Sequence, residues 1–344
     1  MRSSEGPLNT KSAFRVRTAS ALALVVVTAS ACSSSPVDSP PPTIPVATPA
    51  VSPPVSGAVD GTVTPLAGPA LAAAFDIRTA SLVVLGPADR LTVVPTTGPV
   101  RTVNLPAAAT ALTGDGSGTL WLSTRGGYLR VNIAVGAATP VEVDGQGDTE
   151  FTAIARHYGG GLVLGSADGA VYTLSSDTEV GATLKNFARV DALVTDDDSI
   201  VALDRGQTSV TEIDADGTAQ EQALRAGEGA TSMAVDPAGR VLVVDTRGGA
   251  LLVYGTEPLI LRQRYPVPDT PYGVAGSPTL AWVSQTASNT VVGYDLATGI
   301  PVEKVRYRTV RQPDILAFDE NADTLYVVSG AGAGVQAIKG ASRP

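Results

Sequence analysis

The chain of 344 residues contains only one cysteine and one histidine, and both scarcities restrict its chemistry. A lone Cys32 cannot form an intramolecular disulfide, so an exported domain would be stabilised by its core alone. Ser-His-Asp and Cys-His arrangements need a base beside the nucleophile, and none can be assembled here. The sole His157 stands in a turn-like stretch before Gly159-Gly160-Gly161. The sequence therefore predicts neither a catalytic residue of these types nor a Cys/His metal site.

Aromatic residues are also few, at 5% of the chain, whereas hydrophobic residues reach 44% and glycine 36 residues. Small and β-branched residues punctuated by glycine favour a many-stranded, turn-rich protein over a helical one. No glycine-rich phosphate motif follows a strand pattern and opens a helix, so no cofactor is predicted.

The apolar segment near the N-terminus, residues 18–31, is too short to span a bilayer as a helix. It ends in Ala29-Ser30-Ala31, directly before Cys32. Four basic residues precede it: Arg2, Lys11, Arg15 and Arg17. This arrangement is typical of a signal peptide, which we predict over residues 1–31.

Small residues directly before a cysteine resemble the signal of bacterial lipoproteins. The resemblance implies that Cys32 becomes the mature N-terminus and carries thioether-linked diacylglycerol, with a further acyl chain such as palmitate on its amine. Two acyl chains hold a protein stably at a membrane, whereas one is marginal. We therefore predict a lipid anchor on the extracytoplasmic side of the cell membrane. The alternative is ordinary cleavage after Ala31 and release of a secreted protein.

The stretch that follows, residues 32–60, is rich in proline, serine and threonine and includes Pro40-Pro41-Pro42. Such a segment buries too little apolar surface to fold, so we predict a semi-extended tether.

Short apolar runs separated by tight-turn sequences then recur to the end of the chain. Residues 231–255 show the unit, with turns at Pro237-Ala238-Gly239 and Arg247-Gly248-Gly249 where glycine supplies the positive φ of a hairpin. The second run of each unit lies at 82–85, 120–123, 162–165, 200–203, 241–244, 280–284 and 325–329. A spacing of about 40 residues with three or four strands per unit is typical of a β-propeller blade. We predict an all-β, seven-bladed β-propeller over residues 61–344.

The last unit has no fourth strand of its own. An open blade would leave unpaired strand edges, so we expect residues 62–66 to complete it and close the ring. The first strand of a blade lies nearest the axis, where small residues are expected. Equivalent positions there hold Thr113, Ala155, Ala234, Ala275 and Ala317.

Several stretches carry a resemblance to known families. Residues 271–275 (PYGVA), 313–319 (PDILAFD) and 324–328 (TLYVV) resemble the repeat of YncE/YVTN-type and NHL-type seven-bladed propellers. The cysteine leader, with 151–156 (FTAIAR), 164–174 (LGSADGAVYTL) and 281–291 (AWVSQTASNTV), resembles the conserved LppL lipoproteins of mycobacteria and actinobacteria. The second resemblance implies a cell-envelope lipoprotein. NHL-type lyases use a channel-side histidine, whereas His157 is expected on the opposite face.

Three arginines, Arg125, Arg205 and Arg247, each open the turn after a second strand. In propellers this turn lies on the same face as the connections between blades, around the mouth of the central channel. Converging guanidinium groups there would form a site for a small anion, since the planar fork binds carboxylate or phosphate bidentately. The alternative is that each arginine pairs with a nearby carboxylate, namely Asp204, Asp245 or Glu150.

Two further features have simpler interpretations. The Asp196-Asp197-Asp198 run and the loop 114–118 lack the spacing of a calcium-binding repeat, and we predict polar turns. Trp121 and Trp282 fall in second strands, where we expect them to pack between blades.

Without the leader the chain keeps 20 basic and 32 acidic residues, a net charge of −12, which makes it a poor candidate for nucleic-acid binding. The leading hypothesis is a non-enzymatic binding or assembly module in the cell envelope. Its channel mouth would hold an envelope protein partner or a small anionic ligand. The alternative is an envelope lyase or hydrolase that uses acidic residues at the same mouth.

Overall fold

The computed structural model describes residues 41–157, 159–196 and 199–343. Within these ranges the regular secondary structure consists of strands, arranged as seven four-stranded antiparallel sheets. The predicted signal peptide and the lipidation site Cys32 lie outside the described residues. In the ranges given, no helix has the length and apolar character that crossing a bilayer requires.

The first strand along the chain, β1 (Thr62–Thr64), is separate from the first blade. Blade 1 contains β2 (Ala72–Asp76), β3 (Ser81–Leu85), β4 (Arg90–Pro95) and β5 (Arg101–Asn104). Blade 2 contains β6 (Ala111–Gly114), β7 (Thr119–Thr124), β8 (Gly127–Asn132) and β9 (Ala137–Glu142). Blade 3 contains β10 (Phe151–Arg156), β11 (Leu162–Ser166), β12 (Ala170–Leu174) and β13 (Val180–Lys185).

The remaining blades repeat the same order. Blade 4 contains β14 (Ala192–Asp196), β15 (Ser199–Asp204), β16 (Ser209–Ile213) and β17 (Gln220–Arg225). Blade 5 contains β18 (Ala230–Val235), β19 (Val241–Asp245), β20 (Ala250–Gly255) and β21 (Ile260–Pro266). Blade 6 contains β22 (Pro271–Gly276), β23 (Ala281–Gln285), β24 (Thr290–Asp295) and β25 (Val302–Arg308). Blade 7 contains β26 (Pro313–Asp319), β27 (Thr324–Ser329) and β28 (Val335–Lys339), with β1 as its outer strand.

The ring is closed by the two ends of the propeller sequence. β1 pairs antiparallel with β28, and Val63 lies opposite Gln336. The Gln336 side chain is fully buried and donates its amide to the carbonyl oxygens of Asp60 (2.6 Å) and Arg308 (2.9 Å). The predicted seven blades and their closure by an N-terminal strand are confirmed, although the paired strand ends at Thr64.

The hydrophobic core is divided among the gaps between neighbouring blades. Trp282 of blade 6 is fully buried and stacks on Phe318 of blade 7, with ring centroids 6.0 Å apart. Trp121 is half-buried and packs under the guanidinium of Arg156, whose Cζ lies 4.8 Å from the ring centroid. Both tryptophans therefore pack between blades, as predicted. The small residue of the first strand also recurs as expected, since Ala155 pairs with Val163 and Ala275 with Trp282.

Residues 41–60, part of the predicted semi-extended tether over 32–60, contact the ring. They belong to the same compact unit as the propeller, and the main chain of this segment bonds to the ring at both ends. The Ile44 amide donates to the Gly206 carbonyl (2.8 Å), and the Asp60 amide donates to the Arg308 carbonyl (3.1 Å). An extended proline-rich segment leaves its main-chain groups unpaired, and the polar turns of the ring supply partners for them.

Candidate binding site at the channel mouth

A cavity of about 440 Å³ lies on the ring axis and is lined by the first strands of all seven blades. Much of its wall is apolar, with small side chains such as Ala73, Ala111, Ala153 and Ala192. Charged side chains reach it at the end where the chain enters these strands, which we call the channel mouth. Apolar walls with a few convergent polar groups are characteristic of small-molecule sites.

One position in each blade determines the character of the channel mouth. It stands three residues before the small residue of the first strand, as the strand registers establish. In blades 1 to 7 it holds Leu71, Thr110, Thr152, Asp191, Thr231, Tyr272 and Asp314. We call it the mouth position.

At two of the three mouth positions that hold threonine, its hydroxyl joins one blade to the next. The Thr110 hydroxyl donates to the Phe151 carbonyl (2.7 Å), and the Thr152 hydroxyl donates to the Val190 carbonyl (2.5 Å). Each acceptor lies at the entry to the following blade. Neither threonine lines the cavity, so their role is structural.

Asp191 lines the cavity instead. One carboxylate oxygen accepts the Arg205 amide (2.8 Å) and the other accepts Arg189 Nε (3.2 Å). Burial raises the pKa of Asp191, and the hydrogen bond and charge of Arg205 partly oppose that effect. The carboxyl is thus held in place but less stable as an anion than a surface aspartate.

Asp314 also lines the cavity, and its hydrogen bonding is sparser. Burial raises the pKa of Asp314 to about 6, opposed by a hydrogen bond from Gln312 Nε2 to Oδ1 (3.0 Å). A carboxyl with a pKa near neutrality can either accept or release a proton, and such groups cluster at functional sites. Nearby Tyr272 lines the same cavity beside Arg205, and burial raises the pKa of its hydroxyl.

The structure places one of the three predicted arginines at this cavity. Of the three, Arg205 lines it; its Nη2 donates to the Ala47 carbonyl (2.9 Å). The buried Nε of Arg205 has no hydrogen-bond partner among the described residues. Arg247 donates from Nη2 to the Pro45 carbonyl (2.5 Å), and Arg125 donates from Nη1 to the Asp148 carbonyl (2.9 Å).

The carboxylates expected to neutralise these arginines serve the backbone instead. Asp204 accepts the amides of Ala188 (2.8 Å) and Gln207 (2.8 Å). Asp245 accepts the amides of Gly229 (2.9 Å) and Gly248 (2.9 Å). Both are fully buried, and they hold the loops between blades in position. The Glu150 backbone forms an isolated bridge with Arg125.

The other polar candidates lie in turns on the opposite face. His157 follows β10 at the end remote from Thr152, and its amide donates to the Gly161 carbonyl (2.8 Å). Asp115 accepts the amides of Ser117 (2.7 Å) and Thr119 (3.1 Å), as a polar hairpin turn does. Asp197 and Asp198 lie outside the described residues. Where the structure describes the chain, no group of three His, Cys, Asp or Glu side chains could hold a metal ion.

Sequence analysis missed the site residues Asp191, Tyr272 and Asp314. The available signal was the mouth position itself, because threonine is the residue found there in three blades. A blade that replaces this structural threonine with an ionisable residue departs from the repeat at a point facing the axis.

No protein-family model and no curated protein matches the sequence. Solved structures do share its architecture. A streptogramin B lyase structure has 12% identity and a TM-score of 0.67, covering 81% of this chain and 96% of its own. A chain of the mitotic checkpoint complex has 11% identity and a TM-score of 0.67, covering 83% and 98%. Hydrazine synthase of Kuenenia stuttgartiensis has 14% identity and a TM-score of 0.66, covering 83% and 100%. At these identities the likeness establishes the fold alone, a seven-bladed β-propeller.

Proposed function

We propose that the protein is a binding module whose ligand site is the channel mouth. The observation that carries this proposal is the replacement of threonine by Asp191, Tyr272 and Asp314 at the mouth position, around a cavity of about 440 Å³. The buried Arg205 Nε supplies a donor that has no partner among the residues that the structure describes. Buried polar groups without partners are costly, and a ligand acceptor would relieve that cost.

The charges of the site suggest the chemistry of the ligand. Two carboxyl groups, Asp191 and Asp314, lie around the same cavity as one guanidinium, Arg205. This balance disfavours the simple anion suggested by three arginines. It favours a small polar molecule that offers hydrogen-bond donors to the carboxylates and an acceptor to Arg205 Nε.

The location proposed for this module is the outer surface of the cell membrane, with attachment through lipid on Cys32. Support comes from the basic, apolar and small-residue segments of residues 1–32 and from the resemblance to LppL lipoproteins. Acyl labelling of the wild type and Cys32→Ser tests it. Label confined to the wild type is expected, and equal labelling would contradict the anchor.

A thermal-shift panel of sugars, amino acids and short carboxylates tests the ligand site. We expect one of these classes to stabilise the wild type and to lose its effect on a Tyr272→Phe/Asp314→Asn variant. Glu320→Gln is the control, because this exposed carboxylate lies on the opposite face. No shift with any class, or an equal shift in the double variant, would contradict the proposed site.

A second candidate function is an envelope lyase or hydrolase, favoured by the raised pKa of Asp314 in a cavity. A streptogramin B lyase shares the fold, although at 12% identity. In this case Asp314 would transfer a proton and Arg205 would bind the developing negative charge. Turnover by the purified protein, lost in Asp314→Asn and changing with an apparent pKa near 6, would favour the enzyme over the module.

A further inference from the structure

Residues 43–53, which we call the strap, cross the channel-mouth face of blades 4 to 7. The ring binds the strap mainly through main-chain groups. The Ile44 amide donates to the Gly206 carbonyl (2.8 Å), the Ala50 amide to Thr286 Oγ1 (3.1 Å) and the Ser52 amide to Gln312 Oε1 (3.1 Å).

Strap carbonyl oxygens are recognised in the same way by long polar side chains of the ring. In each of these hydrogen bonds the ring side chain donates to the carbonyl oxygen of a strap residue: Arg247 to Pro45 (2.5 Å), Arg205 to Ala47 (2.9 Å), Gln312 to Ala50 (3.0 Å), Arg311 to Ser52 (3.1 Å) and Asn289 to Pro53 (2.9 Å). Gln312 both donates to and accepts from the strap main chain, as a neighbouring strand would. Main-chain recognition of an extended segment gives affinity with little dependence on side chains.

Two strap side chains are buried, and both are small. Ser52 is 1% exposed, donating to the Thr286 carbonyl (2.6 Å) and accepting the Gln312 amide (3.1 Å). Ala47 is 7% exposed and packs over Gly229, where a Cβ would lie 3.0 Å from the Ala47 Cβ. Val51, by contrast, is 81% exposed. The strap groove therefore requires small residues at two points and accepts varied residues elsewhere.

The strap is not needed to complete the sheets, because β1 closes the ring by itself. It bonds to blades 4 to 7, whose mouth positions include Asp191, Tyr272 and Asp314. Gln312 links the two, since its Nε2 donates to both the Ala50 carbonyl and Asp314 Oδ1.

We propose that the strap groove is a binding site for an extended peptide of small residues and proline, and that residues 43–53 occupy it as an intramolecular ligand. This inference goes beyond the proposed small-molecule site and adds a second partner class, an unfolded segment of another protein. A tethered occupant competes at an effective concentration on the order of millimolar. A partner segment therefore binds only when the strap is released.

Fluorescence anisotropy of a labelled synthetic peptide of residues 41–57 tests the groove directly. The full-length variant Ala47→Arg/Ser52→Arg should release the strap, because neither buried site admits a long charged side chain, while every groove residue stays intact. We expect saturable peptide binding by this variant and none by the wild type at micromolar protein. Val51→Arg is the matched control, since its exposed site should leave the strap docked and the peptide excluded.

Gln312→Ala in the released variant should weaken peptide binding at least tenfold. Absence of saturable binding to the released variant, or equal affinity with Gln312→Ala, would overturn the inference.

Should the released variant fail to fold, hydrogen exchange of the wild type supplies a second measurement. Several millimolar peptide should speed exchange of the Ala50 and Ser52 amides, and unchanged rates would also overturn it. If the peptide tests fail but a small molecule still raises the melting temperature in a way that depends on Tyr272 and Asp314, the proposed function is unaffected.

Discussion

Blades 3 and 4 use the same backbone position for different purposes. Thr152 of blade 3 is buried, and its hydroxyl is satisfied by carbonyls of Gly165 (3.4 Å) and Val190 (2.5 Å). Asp191 of blade 4 has two protein donors and still faces the cavity. The repeated residue serves the fold, and the departure from it forms the site.

Blades 4 to 7 also differ from blades 1 to 3 in their contacts with the strap. The strap crosses blades 4 to 7, where the mouth position holds Asp191, Thr231, Tyr272 and Asp314. Among the described residues, the hydrogen bonds of the strap to the ring go to blades 4 to 7, and none reaches blades 1 to 3, where the same position holds Leu71, Thr110 and Thr152. Recognition chemistry is therefore concentrated on one side of a ring whose strands are nearly symmetric.

The largest effect is expected from Thr152→Asp, which places the aspartate of blade 4 at the mouth position of blade 3. We expect unfolding free energy to fall by about 3 kcal/mol or more, because a buried carboxylate would face two carbonyl oxygens without a donor. Urea unfolding measures the effect. Thr139→Asp is the control on an exposed outer strand and should change stability by less than about 0.5 kcal/mol. A Thr152→Asp protein as stable as the wild type would show that the mouth position of blade 3 is as accessible to solvent as that of blade 4.

The ring and its closure were predictable because they follow from local rules. Apolar runs and glycine turns recur at a nearly fixed spacing, and the missing last strand requires a partner such as Thr62–Thr64. These signals depend on residues close together in sequence, so one chain is enough to find them.

The site was less predictable because it depends on contacts between distant residues. Arg205 and Arg247 look like free cations in the turns, yet their partners are Ala47 and Pro45, well over a hundred residues away. Proline-rich composition predicts that a segment cannot fold alone, and it does not exclude docking on a preformed surface. Carbonyl groups carry no sequence signal, so residues 43–53 could not be assigned to the groove.

An intermediate effect is expected from Asp314→Asn. Its pH dependence tests whether charge distinguishes Asp314 from the threonines at the same position. The folded pKa of about 6 exceeds the ordinary 3.8, so the folded protein binds more protons between these values. Wild-type stability therefore falls as the pH rises through about 4 to 6. The asparagine keeps an oxygen for Gln312 and removes the titration.

We expect Asp314→Asn to be about 1 kcal/mol more stable than wild type at pH 7, allowing for partial exposure of the side chain, and equal to it near pH 4. Melting temperatures across this range measure the difference. Glu320→Gln, on the exposed opposite face, is the matched control. A constant offset for Asp314→Asn at every pH would mean that packing, rather than charge, distinguishes this position.

The smallest effect is expected from Tyr272→Phe, compared with Thr152→Val at the same position of blade 3. The Tyr272 hydroxyl lies near Arg205 at the cavity wall, where solvent can replace its contacts, so we expect a loss of unfolding free energy below about 0.5 kcal/mol. Thr152→Val removes the buried hydroxyl that donates to the Val190 carbonyl, and should cost about 1–3 kcal/mol. Urea unfolding of both variants compares them directly. If Tyr272→Phe proved the more destabilising, its hydroxyl would be a structural link like the threonines, and the functional side of the ring would reduce to Asp191, Arg205 and Asp314.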